Sequence, residues 1–300
     1  MKVLVLGGSG MLGHKVCEVL SPAHDTWATF RDPDGLWKSF PMFVKNPRTL
    51  GGVDALDFES VAAAIARARP NVVVNCIGVI KQVKQSNDPV LSITLNALFP
   101  HRLARLCTSS GIRLIHISTD CVFSGRTGNY REDDLTDASD LYGRTKALGE
   151  VVGDGCLTIR TSLIGRDFLK DEGLLEWFLS NRGGKVRGYR NAIFSGLPTV
   201  FLARILRDII RDHPALSGLF HIASPRISKL ELLTKIRDAM GLDVAIEPYD
   251  DPPCDRSLDG SKFVRATGYR ILGWDEMVDE LADDPTPYDQ WRRNQEYPAP

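Results

Sequence analysis

The sequence predicts an α/β fold, a doubly wound parallel sheet with a smaller C-terminal α/β region. Three observations carry that expectation. Strand-like apolar runs alternate with helical stretches through the first half, the pattern of a parallel sheet covered on both faces. The first apolar run breaks directly into a glycine loop and then a helix. After about residue 162 the alternation fades, which sets off the C-terminal part.

Lys2-Val3-Leu4-Val5-Leu6 has the length and composition of a buried strand, expected over 2–7. It runs into Gly7-Gly8-Ser9-Gly10-Met11-Leu12-Gly13. Leu12, Val16, Val19 and Leu20 then recur at helical spacing and place a helix over 10–20. Further strands are expected over 25–30, 52–56, 71–77, 113–118 and 156–161, and helices over 59–68, 90–108 and 141–151. Pro100 predicts a kink or break in the third helix. Later on, 173–180 and the amphipathic stretch 199–212 read as helices and 219–223 as a strand. The latter two are expected to rejoin the sheet. Pro- and Asp-rich 247–260 reads as loop, 274–283 as a helix, and the polar tail after Pro285 as poorly ordered.

Charge is balanced, 37 basic against 38 acidic residues, which argues against a nucleic-acid footprint. No apolar run is long enough to cross a bilayer. The six cysteines show no metal spacing or C-x-x-C pair. These features read as a cytoplasmic enzyme without structural disulfides, without a metal and without a membrane partner.

The chemistry is concentrated at strand ends. Glycines let backbone approach a pyrophosphate, and the helix N-terminus behind them favours an anion. The carboxyl ends of parallel strands share one edge of the sheet. Gly7–Gly13, Asn75-Cys76-Ile77-Gly78, Ser118-Thr119-Asp120 and Arg160-Thr161-Ser162 are therefore expected to meet there. Tyr142 and Lys146, four residues apart, share a helix face. A lysine cation beside a phenol is expected to lower a pKa otherwise near ~10. With a hydroxyl from Thr119, the three groups suit reversible reduction of a carbonyl. At the end of the second strand, Arg31 suits a ribose 2′-phosphate, and Asp32 a 2′-hydroxyl.

Together these residues resemble the extended short-chain dehydrogenase/reductases, and within them the dTDP-4-dehydrorhamnose reductases. The matching segments are Gly7-x-x-Gly10-x-x-Gly13, Ser118-Thr119-Asp120-Cys121-Val122-Phe123-Ser124-Gly125 and Tyr142-Gly143-x-Thr145-Lys146-x-x-Gly149-Glu150. Arg160-Thr161-Ser162, Gly196-x-Pro198-Thr199 and Arg256-Ser257-Leu258-Asp259 fit as well. The resemblance implies a Rossmann-type sheet, with an NADP(H)-binding domain over 1–162 and a mainly substrate-binding region over 163–300. Residues 199–223 would return to the first domain. It implies Tyr142 as proton donor, Lys146 on the nicotinamide ribose and Thr119 on the substrate oxygen. Cofactor contacts are implied for Gly7, Gly10, Met11, Leu12, Gly13, Arg31, Asp57, Cys76, Ile77, Gly78 and Ser118, besides Tyr142 and Lys146. Substrate contacts are implied for Asp120, Phe123, Ser162, Ser195 and Arg256. The expected cofactor is NADPH, with NADH allowed. The expected partner is a nucleotide sugar, and a homodimer is allowed.

Other readings stand beside these. Asp57 also suits a helix N-cap, and Arg256 a salt bridge with Asp255 or Asp259. Trp177 and Phe178 suit either a nucleotide base or the core. Lys81 and Gln82 suit either an unusual sugar substituent or a solvated loop. Dehydratases of this superfamily carry Asp-Glu after the catalytic threonine; here Cys121 follows Asp120, so the base for water elimination is missing. A sugar-nucleotide 4-epimerase needs the same triad, and an incomplete triad would have favoured a non-catalytic dinucleotide-binding protein.

Overall fold

The first apolar run forms β1 (Lys2–Leu6), and the helical spacing after the glycine loop forms α1 (Met11–Leu20). β2 (Asp25–Thr29), a short β3 (Thr49–Leu50), α2 (Phe58–Ala68) and β4 (Val72–Asn75) follow. An irregular helix comes next: α3 (Pro89–Ser92), a π-helical segment (Ile93–Leu98) and α4 (Phe99–Ser109). β5 (Arg113–Ile117), α5 (Leu141–Leu148) and β6 (Cys156–Arg160) complete the alternating half. Beyond it lie β7 (Leu163–Ile164), α6 (Leu174–Ser180), β8 (Lys185–Tyr189), β9 (Ala192–Phe194), β10 (Leu197–Pro198), α7 (Thr199–Asp212) and β11 (Gly218–His221). The chain ends through β12 (Ile227–Ser228), α8 (Lys229–Ala239), β13 (Ala245–Tyr249), β14 (Cys254–Asp255), α9 (Ser261–Thr267) and α10 (Trp274–Ala282). The computed structural model describes residues 1–35, 40–43, 46–79, 87–167 and 173–291.

Seven parallel strands form the main sheet in the order β3–β2–β1–β4–β5–β6–β11, a Rossmann-like α/β arrangement. Side chains alternate between its faces. Val3, Val5, Val72, Val74 and Ile115 join the core formed with α1 and α7, including Val16, Leu20, Leu206 and Ile210. Leu4, Leu6, Val73 and Leu114 join the opposite core with Val61 and Ile65 of α2 and Phe99 and Leu103 of α4. Both faces of each central strand are therefore dry, which is why the strands read as unbroken apolar runs. The amphipathic 199–212 stretch covers the sheet as α7, and the strand after it pairs with β6 at the edge. No helix among the described residues is long and apolar enough to cross a membrane.

Four expectations change. The strand placed at 52–56 lies at Thr49–Leu50, because the chain turns out of the sheet at Gly51 and Gly52, the latter at φ 74°. The long third helix carries its irregularity just before Pro100. That residue has no N–H for the preceding carbonyl ladder, which widens into the π-helical segment. The 247–260 stretch contains the end of β13 and the whole of β14. Pro248 is tolerated in β13 because that strand pairs on one side only, with β8. The tail packs onto the fold, with Tyr288 only 2% exposed and Trp291 against the core.

That tail is held by a buried lysine on α1. Lys15 Nζ donates to Asp284 at 2.7 Å, Thr286 at 2.6 Å and Glu18 at 2.8 Å, and the Tyr288 hydroxyl bonds His14 Nε2 at 2.8 Å. Burial by itself raises the Asp284 carboxyl, but Lys15 and Thr286 hold it below the usual carboxylate range. A depressed native pKa stabilises the fold above the unfolded value and loses that contribution as pH falls through the native one. Asp284→Asn should therefore cost about 2–3 kcal/mol at pH 7 in a denaturant titration. It should also lose less further stability than the unmodified protein on acidification below about pH 4.

Candidate active site

The glycine loop is fastened to the end of β2. Gly7 N donates to Thr29 Oγ1 at 3.2 Å, Gly8 N to Thr29 O at 2.9 Å and Gly10 N to Gly7 O at 3.1 Å. Gly7 sits at φ 83°, a conformation that disfavours side chains. A Cβ on Gly13 would lie 2.0 Å from Gly7 O, so α1 starts hard against the loop only because residue 13 has no side chain. No side chain caps α1 at Gly10. Its N-terminus is thus suited to an anion.

Across the cleft, β5 ends at Ile117 and delivers Thr119, whose hydroxyl accepts from Cys121 N at 3.1 Å and donates to Asp120 Oδ1 at 3.2 Å. Asp140 caps α5 by accepting from Gly143 N at 2.8 Å. α5 lies against backbone on both sides. A Cβ on Gly143 would come 2.2 Å from Cys121 O, and one on Gly149 1.8 Å from Asn96 O. That placement directs buried Lys146 to the sheet edge, where Nζ donates to Ile117 O at 2.8 Å. Gly78 faces it: a Cβ there would be 3.8 Å from Lys146 Nζ and 3.1 Å from Asn96 Oδ1. Asn96 accepts from Val79 N at 2.9 Å and donates to Val79 O at 3.2 Å, and so holds the end of the Gly78 segment.

The expected lowering of the Tyr142 pKa by Lys146 is not what the structure shows. Burial raises the phenol above its ordinary value, the Cys121 thiol adds to that, and the Thr119 hydrogen bond pulls only partly back. The lysine itself is pushed down to about 8 by burial, against the pull of Glu150. Asp120 is likewise raised by burial, with Arg256 opposing. Tyr142 is therefore a protonated phenol at neutral pH, the form a proton donor needs.

One cleft of about 1100 Å³ collects most of the expected residues. Its lining includes Gly7, Gly10, Met11, Leu12, Arg31, Cys76, Ile77, Gly78 and Ser118, together with Thr119, Asp120, Tyr142, Lys146, Ser162 and Arg256. Four expected residues do not line it. Gly13 packs on Gly7; Asp57 caps α2 by accepting from Glu59 N at 3.2 Å, while Asp54, Ala55 and Leu56 form the wall there. Phe123 is buried, stacked on Tyr130 at 4.1 Å, and buried Ser195 accepts from Leu258 N at 2.9 Å. Arg256 forms neither expected salt bridge; its Nε donates to Phe123 O at 2.9 Å, while Asp255 pairs Arg226 and Asp259 pairs Arg131. Trp177 lines the cleft and Phe178 belongs to the core. His116 is fully buried and bonds Asn75 Nδ2 at 3.0 Å. Lys81 and Gln82 lie outside the described residues.

Sequence reading passed over Arg187, Tyr189, Lys229 and Cys254, which also line the cleft. The signal for Lys229 was present: Ser228-x-x-Glu231 is a helix-start pattern, and Ser228 Oγ does accept from Glu231 N at 3.1 Å. Arg187 and Tyr189 sit on a short strand whose partner, β13, is distant in sequence and carries a proline, so local pattern could not reveal it.

The family model described as RmlD substrate binding domain matches residues 1–285. The chain belongs to that family. A dTDP-4-dehydrorhamnose reductase of Streptomyces griseus is 35% identical over 148 residues, 49% of this chain, and this chain covers only 43% of that protein. The spore coat polysaccharide biosynthesis protein SpsK of Bacillus subtilis (strain 168) is 27% identical, across 93% of this chain and 96% of its own. The methionine adenosyltransferase 2 subunit beta of Xenopus laevis is 25% identical, across 84% and 76%. Among solved structures, a dTDP-4-dehydrorhamnose reductase from Bacillus anthracis str. Ames in complex with NADP aligns with a TM-score of 0.77 at 19% identity, covering 94% of this chain and 99% of that one. The Rossmann-like fold is therefore shared with a reductase whose structure holds NADP.

The loop packing gives a direct test. Gly13→Val should force Gly7 and α1 apart, lowering stability by about 1–3 kcal/mol or more. It should also abolish NADPH binding measured by cofactor fluorescence, whereas Gly10→Ala, whose Cβ would meet no atom nearer than 3.5 Å, should keep the fold.

Proposed function

We propose that the protein reduces the 4-keto group of a nucleotide-activated deoxysugar with NADPH. The observation that carries the proposal is the meeting, in one cleft, of the glycine loop with Thr119, Tyr142 and Lys146. The residues fit a dinucleotide. Gly7 and Gly10 leave the loop bare, the uncapped start of α1 suits a pyrophosphate, and Gly78 keeps the space before Lys146 open. When bound, the nicotinamide supplies the hydride. The chain's own groups do the rest. Thr119 and Tyr142 hold the carbonyl oxygen, and Tyr142 gives it a proton as the carbonyl carbon gains the hydride, leaving a C4 alcohol. Lys146, fixed by Ile117 O, holds the ribose hydroxyls. Arg31 at the cleft wall favours NADPH by pairing a 2′-phosphate; the neighbouring Asp32 is the group that would serve NADH.

Cys121 in the place of a dehydratase glutamate supports a reductase over a dehydratase. Domain roles follow the same reading, with the sheet holding the cofactor and the cleft wall from Ser162 onward holding the sugar nucleotide. The proposal carries over the reductase names among the relatives, whose curated members also include a subunit of a different enzyme.

Tyr142→Phe should retain NADPH binding and lower keto-sugar reduction by about 10²–10⁴-fold. Undiminished reduction would remove Tyr142 as the proton donor. In a paired binding assay, Arg31→Asp should reverse a preference for NADPH over NADH.

A further inference from the structure

We infer that Glu150 is a positioning residue of this site: it fixes Ser118 at the sheet edge and sets a buried negative charge one turn along the chain from Lys146. The inference rests on the role of Lys146 proposed above. Glu150 stands one turn beyond Lys146 on the chain, just past the end of α5. Its side chain is 9% exposed and forms a two-pronged pair with Arg160 of β6, itself 4% exposed, at 2.8 and 2.7 Å. The Ser118 hydroxyl donates to the same carboxylate at 2.8 Å. Ser118 lines the cleft directly beside Thr119, and its neighbour Ile117 holds the lysine through a backbone carbonyl. One carboxylate therefore bonds the strand end beside the site and the arginine of β6, one turn along the chain from the lysine.

The electrostatics favour the same assignment. Burial works against the Lys146 ammonium, and Glu150 is the foremost group acting for it. The other groups around the lysine are poor substitutes. The Cys76 thiol at the end of β4 is pushed up to about 12 by burial and stays neutral. His116 of β5 is buried and held far below its ordinary value, so it too is neutral. Tyr142 on α5 is protonated, and Asn96 carries no charge. Arg160 pairs with Glu150 and partly offsets its charge. Removing the carboxylate would take away the foremost charge acting for the Lys146 ammonium and leave the buried Arg160 guanidinium without its carboxylate. A purely structural ion pair would affect folding and leave the titration of Lys146 where it was.

The experiment reads Lys146 in the cofactor-free protein. Brief acetylation across a pH series, followed by peptide mass spectrometry, gives the pH at which Lys146 becomes half-reactive, because only the neutral amine reacts. The unmodified protein should give a midpoint near the about 8 set by burial and Glu150. Glu150→Gln should move it down by about one pH unit, the scale of one lost opposite charge. The double variant Glu150→Gln/Arg160→Met removes both charges and restores an apolar fill, so it remains informative if the single variant fails to fold. Its midpoint should fall between the other two. Glu150→Asp should return the midpoint most of the way. Unchanged midpoints in the folded variants would overturn the assignment of Glu150. Failure of the unmodified protein to bind NADPH at every pH would instead overturn the reading of Lys146 on which it rests.

Discussion

Two glycines decide where the chemistry of this protein stands. α5 is wedged between the turn after β5 and the π-helical segment, with Gly143 against the Cys121 carbonyl and Gly149 against the Asn96 carbonyl. Any side chain at either position would occupy the place of a backbone oxygen, and backbone cannot yield cheaply. Only in that close berth does Lys146 reach the Ile117 carbonyl, and only then does Tyr142 stand beside Thr119. Pro100 contributes from the other side. By interrupting the ordinary helical ladder it leaves a widened turn at Asn96, the segment that Gly149 approaches.

The site built on that contact is dry and charged at once. Lys146, Asp120 and the Glu150–Arg160 pair are all removed from water, so each is governed by its immediate partners. Burial raises the phenol and lowers the lysine, which opposes the simple idea of a cation drawing a proton off its neighbour. The phenol keeps its proton at neutral pH, the state that the proposed donor role requires. The C-terminal tail belongs to the same economy of buried charge, since it brings Asp284 to Lys15 on the helix behind the glycine loop.

Much of this was legible in the sequence. The central strands are dry on both faces and so appear as apolar runs, and the glycine loop between a strand and a helix fixes one end of the cleft. The strand-end segments met at one edge because parallel topology leaves them no alternative. What stayed hidden depends on distant pairing. β8 and β13 are short, exposed and joined across many residues, and Pro248 disguises one of them. Phe123 looked like a sugar contact, yet its ring packs between Tyr130 and the Arg160 guanidinium, a three-dimensional environment that no local pattern records. Tyr288 and Thr286 looked like a loose tail because their partners lie on α1, at the other end of the chain.

The central claim is that this cleft passes hydride to a sugar carbonyl while the chain supplies the proton. The most direct measurement is to supply NADPH deuterated at the transferable position together with a nucleotide-linked 4-keto-6-deoxysugar, and to locate the label in the product. The account predicts one deuterium at C4 of the sugar for each NADPH oxidised. Interconversion of C4 epimers without cofactor consumption, or oxidation of NADPH with no label reaching C4, would contradict it.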